Sequence, residues 1–223
     1  MIKYRPEIDG LRTVAVIPVI LFHLDYSFIA GGFYGVDVFF VISGFLITNI
    51  LTDSIASGNF SMYSFWLRRI KRLLPLLLVV IIFTLIITPL MVFKPIVKNI
   101  SGEIFPALFS YFNFHALYDF GDYWGGIAEQ SFFLHTWSLS VEEQFYLLYP
   151  FFLFFTYKYF RNFIIPVLSI TIISVCLFLF YIKINKNIDV AFYMLHTRIW
   201  ELSIGGLSGL ILTKYQNIKI LYQ

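Results

Sequence analysis

Residues 73–93 read LLPLLLVVIIFTLIITPLMVF, and this stretch decides the fold class of the chain. It contains no charged side chain, and about 20 helical residues are needed to cross the roughly 30 Å hydrocarbon core of a bilayer. In lipid every backbone N–H and C=O group must be hydrogen-bonded within the protein, and a helix does this within one segment. The stretch therefore predicts a transmembrane helix.

The composition of the whole chain supports a membrane protein. Of the 223 residues, 59% are hydrophobic and 13% are charged, and the charged share is about half that of an ordinary soluble domain. Aromatic residues make up 21%, and Tyr and Trp favour the headgroup layer of a bilayer. The one cysteine, Cys176, excludes an intrachain disulfide and gives no indication of a metal. The net charge of +3 is too small to indicate nucleic acid.

Six apolar blocks predict an all-α, polytopic transmembrane bundle that forms a single domain over residues 1–223. Their bounds are Leu11 to Tyr26, Gly35 to Leu51, Leu73 to Phe93, Phe145 to Tyr157, Phe163 to Ile182 and Ile199 to Leu212. Between the third and fourth blocks, residues 94–144 contain a shorter apolar stretch, Ile100 to Phe114, which includes Glu103 and Pro106. This stretch fits a re-entrant segment, an interfacial helix or a short extra span.

Lys and Arg in the connections predict the orientation, because basic residues accumulate on the cytoplasmic side. With six spans and a cytoplasmic N-terminus, eleven of the 16 basic residues lie inside and five lie outside. The inner set is Lys3, Arg5, Arg12, Arg68, Arg69, Lys71, Arg72, Lys158, Arg161, Lys214 and Lys219, and the outer set is Lys94, Lys98, Lys183, Lys186 and Arg198. We therefore expect a multi-pass protein with both ends in the cytoplasm.

Arg12 and His23 lie inside the first block, where titratable groups are costly and need a role. Eleven residues of helix separate them by roughly 16 Å and by close to three full turns, so both side chains point to the same face. Two interpretations are equally supported by the residues. Either the pair lines a catalytic cavity, or Arg12 snorkels to the headgroups while His23 makes an interhelical hydrogen bond.

Asp37 lies near the outer start of the second block and has no basic neighbour in the sequence. Its carboxylate would orient a histidine, as carboxylates do in catalytic pairs. Alternatively, it would satisfy backbone N–H groups at the start of a helix. The residues alone favour neither role.

A basic cluster stands at the predicted inner end of the third block and consists of Arg68, Arg69, Lys71 and Arg72. Guanidinium groups bind phosphate through two parallel hydrogen bonds, so the cluster is a candidate phosphate site. Arg69 and Arg72 are three residues apart and share a helical face. Without other information, the cluster is better explained by the orientation rule and by contact with anionic lipid.

Polar residues crowd the predicted outer entrance of the fourth block: His135, Thr136, Trp137, Ser138, Glu142, Glu143 and Gln144. Ser140 and Glu143 fit a capping box, in which a helix-start hydroxyl and a glutamate satisfy backbone donors. This cap would explain one glutamate of the pair and leave the other available for chemistry.

The last block carries two further patterns. Arg198 and Glu201, near its outer end, have the spacing of an internal ion pair. Gly205 and Gly209 have the small-xxx-small spacing that lets another helix approach closely.

Taken together, these stretches resemble the acyltransferase-3 family of membrane proteins. The matching segments are YRPEIDGLR (4–12) followed by His23, GVDVFFVISGFLI (35–47), FWLRRIKRLLP (65–75), HTWSLSVEEQFY (135–146) and, more weakly, RIWEL (198–202). The family has an arginine and a histidine with ten residues between them, and these fall on Arg12 and His23. Its paired arginines fall on Arg69 and Arg72. The resemblance favours the catalytic interpretation of Arg12 and His23.

The resemblance implies transfer of an acyl group, usually acetyl, from cytoplasmic acyl-CoA to a hydroxyl of an exported glycan such as O-antigen, lipooligosaccharide, another lipopolysaccharide or peptidoglycan. It implies a place in the bacterial cytoplasmic (inner) membrane, acetyl-CoA as the donor substrate, no permanently bound cofactor and no metal. We expect His23 to act as general base, with Asp37 or Glu142 orienting it and Arg12 as a further catalytic residue on the same helix face. The expected substrate-binding residues are Arg68, Arg69, Arg72, His135, Trp137 and Glu143.

The chain also departs from the family pattern. Family members usually carry more spans and often an SGNH-type hydrolase domain. We therefore expect this chain to be an N-terminal portion, truncated at its C-terminus, with a second chain or such a domain supplying the rest. Two other hypotheses stay open: a transporter-like subunit, whose polar residues in spans would line a substrate path, and an inactive fragment of a split acyltransferase gene.

Overall fold

The computed structural model describes residues 6–24, 31–91, 94–123, 125–126 and 128–221. These residues form helices and contain no strand, which confirms the predicted all-α class. The α-helices are α1 (Pro6–His23), α2 (Gly35–Ala56), α3 (Met62–Met91), α4 (Lys94–Leu108), α5 (Phe112–His115), α6 (Thr136–Phe160), α7 (Ile164–Lys183), α8 (Ile188–Tyr193) and α9 (Leu195–Leu221). Short helical turns of other pitch cover Gly32–Tyr34, Ala116–Phe120 and Ala128–Gln130.

The six predicted blocks coincide with helices. Among the described residues, three helices are long and apolar enough to cross a membrane, namely Gly32–Ala56, Met62–Leu90 and Ile164–Lys183. They correspond to the second, third and fifth blocks. The other three blocks lie in α1, α6 and α9, and their crossing of the membrane stays a prediction. The predicted block ends Tyr26 and Phe93 lie outside the described residues.

Two helices begin well before the apolar block that predicted them. Helix α3 begins at Met62 rather than at Leu73, and α6 begins at Thr136 rather than at Phe145. A hydropathy block marks only the uniformly apolar part of a helix, whereas the backbone hydrogen bonds continue through polar residues. The basic cluster and the glutamate pair therefore lie inside helices and not in the connections between them.

Helices α3 and α7 present most of their apolar side chains outward. Only 11% of the most apolar window of α3 is buried inside the protein, and 17% of that of α7, against 50% for the helix Gly32–Ala56. In water such surfaces would be an aggregation hazard, whereas lipid tails are as apolar as the side chains themselves. We infer that α3 and α7 face lipid and that α2 is an inner helix.

The chain packs as two compact units. Unit one comprises the described parts of residues 1–60, 151–175 and 199–223. Unit two comprises those of residues 61–150 and 176–198. The candidate catalytic residues of α1 and α2 therefore belong to unit one, and the basic cluster and the glutamate pair belong to unit two.

In unit one, glycines bring helix backbones into direct contact. A Cβ atom on Gly44 of α2 would overlap the backbone carbonyl of Leu202 in α9, and one on Gly205 would overlap the carbonyl of Val41. A Cβ on Gly209 would meet the side chain of another α2 residue. The predicted close approach at Gly205 and Gly209 is confirmed, and α2 is the partner helix.

In unit two, buried polar side chains fasten α5 and the end of α4 to α6. The Gln144 amide donates to the Ser110 carbonyl (3.0 Å) and to Asn113 Oδ1 (2.7 Å). Asn113 Nδ2 donates in turn to the Tyr193 carbonyl at 3.1 Å. The described residues of the range 94–144 are therefore largely helical and anchored, and α4 is not among the described helices long and apolar enough to cross a membrane.

The predicted capping box at Ser140 and Glu143 is wrong. Because α6 begins at Thr136, Ser140 lies more than a turn inside the helix. Its hydroxyl donates to the Thr136 carbonyl (2.9 Å) and accepts from the Phe112 N–H (3.1 Å), so it joins α5 to α6. Neither glutamate of the pair is used as a helix cap.

Candidate active site

His23 is the last residue of α1, and its own helix orients its ring. The Nδ1 atom lies 2.8 Å from the Val19 carbonyl oxygen, one turn earlier. A carbonyl oxygen can only accept, so Nδ1 carries the hydrogen in this bond. A neutral imidazole protonated on Nδ1 has its lone pair on Nε2, which is the form a general base requires. The side chain is exposed.

Arg12 lies on the same continuous helix as His23, as the spacing predicted. Its guanidinium pairs with Asp9 at 3.7 Å, one turn earlier, and its side chain is 26% exposed. The pairing holds a cation on α1 roughly 16 Å from His23 along the helix axis. Residues Ile8 and Ala15 on either side of Arg12 are buried, so Arg12 belongs to the packed stripe of α1.

Asp37 lies in the first turn of α2, where α2 packs against α1. A Cβ on Gly35, two residues earlier, would overlap the Ala15 carbonyl and meet the Val19 side chain. Val19 is also the residue whose carbonyl holds His23. The start of α2 has no side-chain cap, and the helix dipole stabilises a carboxylate in its first turn. Both predicted roles of Asp37 stay predictions.

The basic cluster of α3 is divided by burial. Arg68, Lys71 and Arg72 are exposed, whereas Arg69 is half-buried. The Arg69 guanidinium lies over the Phe65 ring at 5.6 Å and over the Tyr146 ring of α6 at 5.7 Å. Although Arg69 and Arg72 share a helical face, only Arg72 of the two is exposed.

The glutamate pair of α6 lies beside this arginine. Glu142 Oε2 accepts a hydrogen bond from the Tyr146 hydroxyl at 3.1 Å. Glu143 interacts electrostatically with Arg69 and with Glu142. Its Oε1 atom is buried and has no hydrogen-bond partner among the described residues.

One part of the predicted topology is corrected by these contacts. The orientation count put the basic cluster at the inner surface and the glutamate pair at the outer entrance of the next span. An arginine side chain that lies over the Tyr146 ring of α6 cannot lie on the opposite side of a roughly 30 Å hydrocarbon core from that turn of α6. The error arose because both helices start earlier than their apolar blocks, so their polar turns pack together.

The two remaining predicted substrate-binding residues have different surroundings. His135 is exposed directly before α6. Trp137 is buried and packs against the Phe192 ring at 4.6 Å and the Tyr193 ring at 5.6 Å. The Arg198 guanidinium lies 5.8 Å from the Trp137 ring, and its Nε donates to the Phe192 carbonyl. Substrate contact by either residue, and the Arg198–Glu201 ion pair, stay predictions.

The sequence reasoning missed a histidine–aspartate pair in unit two. His115 Nδ1 lies 2.5 Å from Asp119 Oδ2, and the π-helical turn Ala116–Phe120 follows His115 directly. The buried Glu103 carboxylate interacts electrostatically with His115. The four-residue spacing of His115 and Asp119 was the signal available in the sequence. Among the described residues, no three His, Cys, Asp or Glu side chains are grouped so that they could hold a metal ion.

The family model described as the acyltransferase domain matches residues 5–221, which is nearly the entire chain. The chain belongs to the acyltransferase-3 family. The model covers all the segments on which the resemblance was based, from the Arg12 region to the segment 198–202.

Curated members of the acyltransferase-3 family are similar to this chain. Peptidoglycan O-acetyltransferase OatA of Listeria monocytogenes is 42% identical over 162 residues, which are 72% of this chain and 26% of that protein. O-acetyltransferase OatA of Staphylococcus aureus is 35% identical over 213 residues, which are 94% of this chain and 35% of that protein. The chain thus spans about a quarter to a third of the length of these relatives. No solved structure matches it.

Within this acyltransferase-3 chain, Tyr146 is the other residue that the sequence reasoning did not select. It was noted only as the end of the segment 135–146. Its hydroxyl reaches Glu142, its ring lies under Arg69, and its carbonyl accepts from Trp66 Nε1 at 3.1 Å. The four-residue spacing from Glu142 was visible, but the contact with α3 needed the tertiary structure.

Proposed function

We propose that this chain is the membrane part of an O-acetyltransferase that moves an acetyl group from acetyl-CoA to a hydroxyl of peptidoglycan. The observation that carries the proposal is the orientation of His23, whose Nδ1 is held by the Val19 carbonyl and whose Nε2 therefore bears the lone pair. Membership of the acyltransferase-3 family supports acyl transfer. The Listeria monocytogenes relative is named as a peptidoglycan O-acetyltransferase, which supports peptidoglycan over O-antigen or lipopolysaccharide as the acceptor.

The proposed reaction needs one base and one stabilising carboxylate. The acceptor hydroxyl oxygen attacks the thioester carbonyl carbon, and His23 Nε2 takes the hydroxyl proton. The C–S bond then breaks, and the imidazolium returns that proton to the sulfur of CoA. The products are the O-acetyl ester and CoA thiol. Asp37 is the favoured carboxylate for the imidazolium, because it lies in the first turn of α2, the helix that packs against α1. Glu142 is the second candidate carboxylate of the reaction.

The donor would be recognised by its phosphates. The exposed guanidinium groups of Arg68 and Arg72 are available for bidentate phosphate contacts. Arg12 contributes a further cation on the same helix as the base. We propose the cytoplasmic membrane as the location, with the N-terminus inside. Without the four residues of the basic cluster, seven basic residues still fall on the predicted inner side and five on the outer side.

The test is a substitution of the base with a matched control. Membranes that contain the chain are supplied with acetyl-CoA and soluble peptidoglycan fragments, and ester formation is measured. We expect His23→Gln to lower the rate by roughly 100-fold or more, in the range of general-base catalysis. The control is His196→Gln. His196 is a half-buried histidine of α9 whose ring lies beside that of Tyr181, and this variant should retain the parental rate.

Equal rates for His23→Gln and the parent, at equal protein levels, would exclude His23 as the base. A parent that binds acetyl-CoA without forming ester or free thiol would favour the transporter-like alternative.

A further inference from the structure

Arg69 does not resemble the other members of the basic cluster. Its guanidinium is enclosed by the rings of Phe65, one turn earlier on α3, and Tyr146 of α6. Its Nε is buried and has no hydrogen-bond partner among the described residues. A planar guanidinium can stack on aromatic faces in this way, whereas an ammonium group cannot. Turning Arg69 toward a phosphate in solvent would break both ring contacts.

Tyr146 links Arg69 to the glutamate pair. Its backbone carbonyl accepts from Trp66 Nε1 at 3.1 Å, which fixes this turn of α6 against α3. Its hydroxyl donates to Glu142 Oε2 at 3.1 Å. The ring between these two bonds lies under the Arg69 guanidinium. An arginine, a tyrosine and a glutamate thus form one connected chain across α3 and α6.

The charged groups near Arg69 also indicate that it interacts with carboxylates and not with phosphates. Glu143 interacts electrostatically with Arg69, and its Oε1 atom is buried without a partner among the described residues. The two glutamates are adjacent and repel each other. The Arg69 cation between α3 and α6 offsets this repulsion at Glu143, and the Tyr146 hydroxyl fixes the orientation of Glu142.

We propose that Arg69 and Tyr146 are positioning residues that hold the Glu142 carboxylate, and that donor phosphates are bound by Arg68, Lys71 and Arg72 instead. This inference rests on the proposed function, which makes Glu142 a carboxylate of the reaction. The members of the basic cluster therefore have different roles. The exposed residues bind the donor phosphates, and Arg69 fixes the conformation of the Glu142 side chain on α6.

The experiment separates turnover from donor binding. Initial rates of CoA release are measured in membranes that contain the full chain, at varied acetyl-CoA with fixed peptidoglycan fragments. We expect Arg69→Lys and Tyr146→Phe each to lower kcat by about tenfold, with KM for acetyl-CoA within about twofold of the parent, because the lost contact acts on the reaction and not on the donor. Arg72→Ala should instead raise KM for acetyl-CoA by about fivefold or more, with kcat little changed.

Matched controls come from the same chain. Tyr159→Phe removes a hydroxyl from an exposed tyrosine of α6, and Arg161→Lys removes a guanidinium from the connection after α6. Both should retain parental kcat and KM. In a Glu142→Gln background, Tyr146→Phe should cause no further loss, because the hydroxyl then has no carboxylate to hold.

An Arg69→Lys variant that raises KM for acetyl-CoA as Arg72→Ala does would overturn the inference and leave the proposed function intact. Full additivity of Tyr146→Phe and Glu142→Gln would also overturn it. Should Arg69→Lys fail to accumulate in membranes, the Tyr146→Phe kinetics and the double-variant comparison decide the matter alone. Failure of the proposed function itself is distinct, because it appears as an active His23→Gln variant.

Discussion

The tautomer of the neutral His23 ring is selected by its own helix. The sequence suggested that a carboxylate orients the ring, but the Val19 carbonyl already accepts from Nδ1. Any carboxylate in the reaction therefore acts on the imidazolium after proton transfer and is not needed to select the tautomer. In a regular helix the carbonyl of the residue four positions earlier, here Val19, lies within reach of the His23 ring. The tautomer of the proposed base is thus selected within α1 and needs no tertiary contact.

Glu103 is another single residue whose surroundings were not visible in the sequence. Its carboxylate accepts from the Ser131 hydroxyl at 2.8 Å and from the Phe133 N–H at 3.3 Å. Burial raises the pKa of the Glu103 carboxyl above its ordinary value, and the two hydrogen bonds and His115 oppose the rise only in part. These bonds tie α4 to the segment directly before His135, so Glu103 shapes the entry to α6.

The raised pKa of Glu103 predicts a pH-dependent stability. A carboxyl whose pKa is higher in the folded than in the unfolded state disfavours folding once it ionises, so stability falls as pH rises through the folded-state pKa. Glu103→Gln keeps an oxygen acceptor without charge. We therefore expect its melting temperature in detergent to exceed that of the parent at pH 8 and to equal it near pH 4. Differential scanning fluorimetry at the two pH values measures this difference.

Glu103→Ala is the companion variant. It leaves the Ser131 hydroxyl and the Phe133 N–H without their acceptor, at a cost of about 1–3 kcal/mol for each buried group that stays unsatisfied. We expect it to melt below the parent at both pH values. A Glu103→Gln variant that melts below the parent at pH 8 would show that the ionised carboxylate is stabilising, contrary to our expectation.

At the scale of elements, α2 and α9 are the pair whose contact was most nearly predicted. The Gly205 and Gly209 spacing indicated a close approach but not the partner helix. Gly44 supplies the matching surface on α2, because its missing Cβ leaves room for the Leu202 carbonyl. Two polar contacts strengthen unit one beside this pair: Thr171 donates to Ser203 at 2.7 Å, and the Trp200 N–H donates to Ser174 at 3.1 Å.

This packing predicts that Gly44→Ala destabilises the protein. The new methyl group meets backbone atoms, which cannot rotate away as a side chain can. Overpacking of this kind costs about 1–3 kcal/mol, so the melting temperature in detergent should fall. Gly102→Ala is the control, because a Cβ there has nothing within 4 Å and Gly102 also lies in a helix. A Gly44→Ala protein as stable as Gly102→Ala would refute backbone contact between α2 and α9.

At the scale of the whole molecule, the orientation in the membrane is the main open prediction. Helix α7, a candidate span, separates Arg161 from Lys186. The count of basic residues puts Arg161 in the cytoplasm and Lys186 outside. Both residues have positive φ, 51° and 54°, so cysteine at either position meets the same backbone strain. They form a matched pair for labelling.

We therefore expect Lys186→Cys, in a Cys176→Ser background, to react with a membrane-impermeant maleimide in intact cells. Arg161→Cys should react only after the membrane is opened. The labelling is read as a mass shift on a gel. The reverse pattern would invert the topology and would move the N-terminus outside if α1, α2, α3, α6 and α7 all cross.

The sequence by itself determined the all-α class, the positions of the apolar helix cores, the presence of Arg12 and His23 on one helix, and the family. These features depend on composition, helical periodicity and local motifs, which act within one segment. It located α3 and α6 but not their starts, because hydropathy does not register a polar helical turn that packs against protein. The capping box and the separation of the basic cluster from the glutamate pair failed for that reason.

The tertiary structure alone decided which distant residues meet. It enclosed Arg69 between Phe65 and Tyr146, left Arg72 exposed, and bound Glu142 to Tyr146. It also selected α2 as the partner of Gly205. Contacts between residues far apart in the chain depend on helix register and on which faces are buried together. A pattern read along one helix contains no information about the face that a second helix presents to it.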